Sequence, residues 1–406
     1  MAKPEIRLKG FEGEWKEKPL LDVVTLYNGL TYSPSDIRDR GTLVLRSSNV
    51  QDGEISLLDN VYVKNEVATS PNVKVGDIIV VVRNGSRALI GKHAQIKEIM
   101  PNTVIGAFMA GMHTEEPEFM NALLSTSLFD NEVNKNLGAT INQITNGTFR
   151  SMTFKFPSKE EQQVLGSYFL NLDSLLQSTT KKIASLKQMK QACLVSMFPQ
   201  AGETTPRVRF KGFQGEWKKV LLEDCLTVCK DRNFDERYDR NDVLSVSDDY
   251  GIVNQIMLLG RSYAGKSVAN YRILKTGDIV YTKSPLKIKP FGIIKVNEGP
   301  TGIVSTLYAV YTPKVGVLPQ YINYYFEPSY RMNKYIHPLV NKGAKNDMKV
   351  SDENVLKGCI TIPSDIQEQQ RIASYFRSLD KQISLQEKRL EKLKQIKAAC
   401  LDKMFV

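Results

Sequence analysis

The segment Gly260-Arg-Ser-Tyr-Ala-Gly265-Lys266-Ser267 carries the spacing G-x-x-x-x-G-K-S. At that spacing glycine amides can wrap phosphate oxygens, the lysine can meet the terminal phosphates, and the serine can hold magnesium. The chemistry also needs a strand entering the loop and a substantial helix leaving it, so that the helix N-terminus faces the phosphates. Here VANYRIL leads straight into the Lys275-Thr-Gly277-Asp278 turn, which leaves no room for that helix. The segment reads as a loop whose Lys266 meets a phosphate backbone or solvent, not as a nucleotide site.

Other catalytic spacings are missing. The chain has no G-x-G-x-x-G, no H-E-x-x-H, no G-x-S-x-G and no Asn/Asp-Pro-Pro-aromatic tetrapeptide. Its three histidines, His93, His113 and His337, stand in unrelated contexts and read as loop or packing residues. Cys225 and Cys229 lie one helical turn apart, but no second pair or nearby histidine completes a zinc site. The remaining cysteines, Cys193, Cys359 and Cys400, make the total five, an odd number that argues against a secreted disulfide scaffold. The expectation is a chain with no catalytic residues, no cofactor and no metal of its own. A formal charge of +11 favours polyanionic partners, nucleic acid among them. The opening MAKPEIRLKG has no apolar stretch of the signal-peptide kind, and no apolar run is long enough to span a bilayer, so the expected location is the cytoplasm.

The elements that would position a binding surface are written twice. Residues 6–22 read IRLKGFEGEWKEKPLLD and residues 208–224 read VRFKGFQGEWKKVLLED. The shared KGF-x-GEWK predicts a clasp that opens each domain. In it Phe11 and Trp15, or Phe213 and Trp217, pack on the domain body, and Gly10 and Gly13 turn the chain. A Gly-Asp turn before a strand also recurs, as VKVGDIIVVVRNG at 73–85 and LKTGDIVYTKSP at 274–285. Alternation and β-branching predict buried strands at 78–82 and 279–282, with further strands at 42–45, 243–246, 293–296 and 304–310. One short helix per domain is expected, near 118–131 and near 319–335. The polar residues just past the two Gly-Asp strands differ completely: Arg83, Asn84, Ser86 and Arg87 against Lys283, Ser284, Lys287 and Lys289. One scaffold with divergent exposed tips suits one fold aimed at two targets.

The longest echo pairs FPSKEEQQVLGSYFLNLDSLLQ at 156–177 with IPSDIQEQQRIASYFRSLDKQIS at 362–384. Proline, serine and an acidic, Gln-rich stretch make a helix start. A four-three spacing follows through Leu172, Leu176, Thr179, Ile183, Leu186, Lys190, Cys193 and Met197. It repeats in Leu379, Ile383, Gln386, Leu390, Leu393, Lys397, Cys400 and Met404. Each helix should run roughly 35–40 residues, about 50–60 Å at ~1.5 Å per residue. With a single apolar stripe such a helix needs a partner, and the other copy is the obvious one.

Taken together, the chain resembles the specificity subunits of type I restriction-modification systems over essentially its whole length. The likeness rests on Gly29, Tyr32, Pro34 and Ser35, on the two Gly-Asp strands, and on Ser305-Thr-x-Tyr308. Above all it rests on the duplicated Pro…Glu-Gln-Gln…Phe…Leu-Asp starts at 157–173 and 363–380. The resemblance implies an α+β fold: two mixed α/β target-recognition domains separated by two long helices packed as an antiparallel coiled coil, an internal pseudo-two-fold repeat. The expected boundaries are 1–155 for the first recognition domain, 156–198 for the first helix and 199–207 for a linker, then 208–361 for the second domain and 362–406 for the second helix. It further implies a non-catalytic subunit that reads a bipartite, asymmetric stretch of double-stranded DNA. Two modification subunits would bring adenine-N6 methyltransferase activity with S-adenosylmethionine. Two restriction subunits would bring ATP- and magnesium-dependent translocation and cleavage.

Arginine or lysine suits guanine, and asparagine or glutamine suits adenine, in the major groove. The candidate readers of the first domain are therefore Arg83, Asn84, Ser86 and Arg87, with the stretch Thr140, Asn142, Gln143, Thr145 and Asn146. Those of the second are Lys283, Ser284, Lys287 and Lys289, with Asn341, Lys342, Lys345 and Asn346. Lys64, Lys92, Arg232, Arg261 and Lys266 are candidate phosphate contacts. Tyr168, Phe169, Tyr375 and Phe376, at equivalent places near the helix starts, either close the coil on the adjacent domain or seat a methyltransferase subunit. A self-standing nucleic-acid-binding protein without such partners is the alternative.

Overall fold

The computed structural model describes residues 3–137, 142–283, 289–342 and 348–406. The chain divides into two compact units, Met1–Lys181 with Glu387–Val406, and Lys182–Gln386. The division falls inside both long helices, so each unit owns half of each helix.

In the first unit the β-branched run Ile78–Val81 is fully buried, as befits a central strand covered on both faces. It pairs antiparallel with Met109–His113 on one side and with His93–Gln95 on the other, and Thr25–Asn28 completes the sheet beyond Met109–His113. A second four-stranded sheet runs Thr103–Ile105, Thr42–Leu45, Val61–Val63, Ile37–Arg38, its first pair parallel. The second unit repeats the first sheet in the same order with Leu226–Val228, Tyr308–Pro313, Ile279–Thr282 and Ile294–Val296. In place of the second sheet it has two separate strand pairs, Leu244–Ser247 with Gly251–Asn254 and Arg272–Leu274 with Gly302–Val304.

The Gly-Asp turn works identically in both. Gly76 and Gly277 take φ of +93° and +90°, where a side chain is disfavoured. Asp77 Oδ2 and Asp278 Oδ2 then accept the amides of Lys74 and Lys275 at 2.9 and 3.0 Å. The clasp forms as expected. Lys16–Pro19 pairs with Thr153–Phe156 and Lys218–Leu221 with Cys359–Ile362, which ties each domain's start to the strand that feeds a long helix. Trp15 and Trp217 are buried, edge-on to Phe119 and Phe198, while Phe11 and Phe213 stay partly covered.

Two expectations need correcting. Where one helix was expected per domain there are two in succession, Pro117–Leu124 then Ser127–Asn136, and Pro319–Phe326 then Ser329–Ile336. The Thr126 hydroxyl donates to Leu123 O at 2.6 Å and breaks the first pair. Pro328, which cannot continue a helix, breaks the second. The run 304–310 is not one strand either. A turn from Ser305 to Tyr308, closed by Tyr308 N to Ser305 O at 3.1 Å, separates Gly302–Val304 from Tyr308–Pro313.

The long helices are Lys159–Ser196 and Ile366–Lys403, 38 residues each, about 57 Å at ~1.5 Å per residue. The four-three stripe is their covered side: Leu172, Thr179, Ile183, Leu186, Lys190, Met197, Leu379, Ile383 and Met404 are buried, and the rest of it is partly buried. Within the first unit the Tyr168 hydroxyl meets Cys400 Sγ at 3.3 Å and Lys397 Nζ donates to Asp173 Oδ1 at 2.5 Å. Within the second, Tyr375 meets Cys193 at 3.3 Å and Lys190 pairs with Asp380 at 2.6 Å. The lysines that interrupt the apolar stripe are thus neutralised by carboxylates of the other helix. No helix among the described residues is long and apolar enough to cross a membrane.

Candidate nucleic-acid interface

The chain leaves the central strand Ile78–Val81 at the open end of the first unit's sheet, and there it meets a segment some sixty residues on. Ile144 N donates to Val82 O at 2.9 Å, Arg83 forms an antiparallel bridge with Gln143, and Asn142 Nδ2 donates to Gly85 O at 3.1 Å. The two stretches singled out from sequence, 83–87 and 142–146, are therefore one surface. Arg83, Ser86, Arg87, Thr145 and Asn146 are exposed on it, and Asn84, Asn142 and Gln143 are partly buried. Thr140 lies outside the described residues.

Several neighbours on this surface escaped sequence reading. Asn84 Nδ2 donates to Ser47 Oγ at 3.0 Å, and Asn146 Nδ2 to Asn28 Oδ1 at 3.3 Å. Arg83 N donates to Phe108 O at 3.2 Å, and the Arg83 guanidinium lies 5.2 Å from the centre of the Phe108 ring. That ring is 52% exposed. The usable signal was position: Ser47 directly follows a buried strand's end, and Phe108 is an isolated aromatic beside Gly106 on a loop between two strands.

The second unit's tip is organised differently. Lys283 Nζ lies 2.6 Å from Asp352 Oδ1, and Arg272 pairs with the same carboxylate, whose side chain is 8% exposed. Lys289 Nζ lies 2.8 Å from Asp248 Oδ1 and donates to Glu327 O at 3.1 Å, and Lys295 joins Asp248 at 3.3 Å. Burial alone would raise the Asp248 carboxyl, but Lys289 and Lys295 hold it below its ordinary value. Lys283 and Lys289, expected as base-reading candidates, are both partly covered and ion-paired. Asn341 and Lys342 form a short strand paired with Met348–Lys349. Ser284, Lys287, Lys345 and Asn346 lie outside the described residues.

Of the candidate phosphate contacts, Lys92, Arg261 and Lys266 are exposed, with Arg261 stacked 4.7 Å over Tyr263. Lys64 is paired with Asp36 at 3.0 Å and Arg232 donates to Asn270 O at 3.0 Å. The G-x-x-x-x-G-K-S segment has no phosphate-binding geometry. Gly260, at φ +75°, ends the short helix Gln255–Leu259, and the next element after Ser267 is the strand Arg272–Leu274. Among the described residues no cluster of three or more His, Cys, Asp or Glu could hold a metal ion.

The four aromatics near the helix starts divide into two kinds. Phe169 and Phe376 are buried within their own units, beside Phe405 and Phe198 respectively. Tyr168 and Tyr375 are partly exposed. Their bonds to Cys400 and Cys193, helped by burial, push both phenols up to about 12.

The family model for the type I restriction modification DNA specificity domain matches the chain twice, over residues 12–188 and 215–395. The chain is 23% identical to the EcoKI type I restriction enzyme specificity subunit of Escherichia coli (strain K12), covering 91% of this chain and 84% of that one. It is 28% identical to the StySPI specificity subunit of Salmonella potsdam over 196 residues, 46% of this chain and 41% of the relative. In fold it resembles the S subunit of a type I restriction-modification system from M. genitalium, with a TM-score of 0.63 at 12% identity over 100% of this chain and 99% of that one.

Proposed function

The chain belongs to the type I restriction-modification specificity subunits, the non-catalytic members that give such systems their DNA recognition, and from that premise we propose that each unit reads one half of a bipartite, asymmetric target. The two long helices form an antiparallel coiled coil in a pseudo-two-fold frame and act as a ruler, so the DNA between the halves is spanned without being read. The matched contacts Tyr168–Cys400 and Tyr375–Cys193 support that frame. Two modification subunits, carrying S-adenosylmethionine chemistry, dock on the helices near Tyr168 and Tyr375. Two restriction subunits, using ATP and magnesium, complete the assembly in the cytoplasm.

The observation that carries this reading is the contrast between scaffold and tip. The same sheet order, Gly-Asp turn and clasp occur in both units. Yet the tips present Arg83 with an amide-rich surface in one and an Asp352-centred ion cluster in the other. Two unlike readers on one scaffold suit two unlike half-sites. The test is to co-express the chain with modification subunits in an unmethylated host and map N6-methyladenine by single-molecule sequencing. One split motif with a fixed unread gap is the expected result. An intact complex with active methyltransferase subunits but no motif would sink the reading in favour of a self-standing nucleic-acid-binding protein.

A further inference from the structure

We infer that Arg83, held over the Phe108 ring, reads a guanine in the half-site covered by the first unit. The inference rests on the DNA-reading function proposed above and names the base and the reader. The Arg83 backbone is fixed on both sides, by the Phe108 carbonyl and by the Gln143 bridge. Its guanidinium lies 5.2 Å from the Phe108 ring centre. A guanidinium held over an aromatic ring by its π-cloud keeps its fork of N–H donors available to a further partner. That fork matches O6 and N7 on the major-groove edge of guanine.

The neighbouring amides are already engaged: Asn84 with Ser47 and with the Ser86 amide, Asn142 with Gly85, Asn146 with Asn28. Among the described residues no carboxylate pairs with Arg83. The second unit shows why this matters. Asn146 and Asp352 are the first residues of equivalent short helices, capped by Thr145 and Ser351. Where the second unit has the carboxylate that captures Lys283, the first has a neutral amide, and the Arg83 charge stays unquenched. A phosphate can accept the same fork. The half-exposed Phe108 ring beside the guanidinium, an apolar surface that a base can contact and a phosphate cannot use, is what favours base over backbone.

The experiment uses the full chain assembled with its modification subunits, once the wild-type motif is known. Methylation kcat/KM is measured on duplexes in which each base pair of both half-sites is changed in turn. With Arg83→Ala, discrimination should fall by about 5- to 150-fold at one guanine position, the range of a single bidentate contact. Every other position should keep its wild-type preference. Phe108→Ala should lose part of the same discrimination and Phe108→Tyr should restore it. Three results overturn the inference: no guanine in either half-site, an Arg83→Ala loss that is uniform over all duplexes with a shallower salt dependence, or a Phe108→Ala variant indistinguishable from wild type. A wild-type complex that yields no split motif would instead overturn the underlying function, and this inference with it.

Discussion

Removing Arg7 should destabilise the first unit far more than a surface ion pair would. Arg7 Nε and Nη2 donate to Glu161 Oε1 and Oε2 at 2.8 and 2.7 Å, and Nη1 and Nη2 donate to the carbonyls of Gly13 and Glu12 at 2.6 and 3.0 Å. The side chains are 17% and 2% exposed. Arg209, Glu368, Gly215 and Gln214 repeat the arrangement in the second unit. The guanidinium thus sews the clasp to the start of the long helix, and its loss strands the Glu161 carboxylate away from water. Breaking one side of a buried pair costs about 3–5 kcal/mol, whereas replacing both partners by apolar groups is often near neutral. At about 2–3 kcal/mol per molar urea for a unit of this size, Arg7→Ala should lower the urea midpoint by roughly 1–2 M. The chain has two tryptophans, one buried in each unit, so in a Trp217→Phe background the fluorescence of Trp15 reports on the first unit alone. Arg7→Met with Glu161→Met should recover most of the loss. A midpoint shift under about 0.3 M, or a double variant as weak as the sum of the singles, would mean that the clasp is screened by solvent like an exposed pair.

Further tests follow from the same contacts. Burial holds the His93 imidazole below its ordinary value, its ring set between Gly91 O, Asn121 O and Ser125 Oγ. A base with a depressed folded pKa contributes stability above the unfolded value near 6.5 and loses it as pH falls through the folded one. The Trp15 midpoint should therefore drop more between pH 7.5 and 5 in wild type than in His93→Asn, and equal drops would contradict the assignment. Asp352→Asn should release Lys283 and Arg272 from their shared carboxylate. Non-specific DNA binding by the assembled complex should then tighten, with its log–log salt slope steeper by about 1–2; an unchanged slope would show that the freed cations do not reach phosphate. One extra helical turn of about 5.4 Å, inserted midway in both long helices, should widen the unread gap by one to two base pairs at ~3.4 Å each. A methylation motif with an unchanged gap would refute the ruler.

The parts legible in sequence were those set by local chemistry. β-Branched runs located the strands at 78–81 and 279–282, Gly-Asp pairs located their entry turns, and the four-three stripe located the long helices. Helix breaks were missed because the apolar spacing continues across Thr126 and Pro328, while a hydroxyl and a missing amide stop the backbone there. At the candidate interface, residue type chose the two segments around Arg83 and Gln143 but could not join them, since a single bridge and three amide bonds do that across a long stretch of chain. Phe108 and Ser47 carry no charge or spacing that marks them, and only the strand ends bring them in.

The lysines of the second unit show what composition cannot tell. Lys283, Lys289 and Lys295 all count toward the charge of +11, and by type each suits a DNA surface. Folding puts Asp352 against the first and Asp248 against the other two. Lys289, Lys295 and Asp352 are largely covered, and pairing offsets the cost of drawing such ions from water, so these lysines resist release to a phosphate more than an exposed, unpaired lysine does. Arg83 stands differently: it is exposed, it lies over the Phe108 ring, and no carboxylate among the described residues competes for it. The choice of asparagine at position 146 against aspartate at position 352 is then a choice about which cations are left unpaired. A net charge counts every cation, while recognition depends on those the fold has left unpaired.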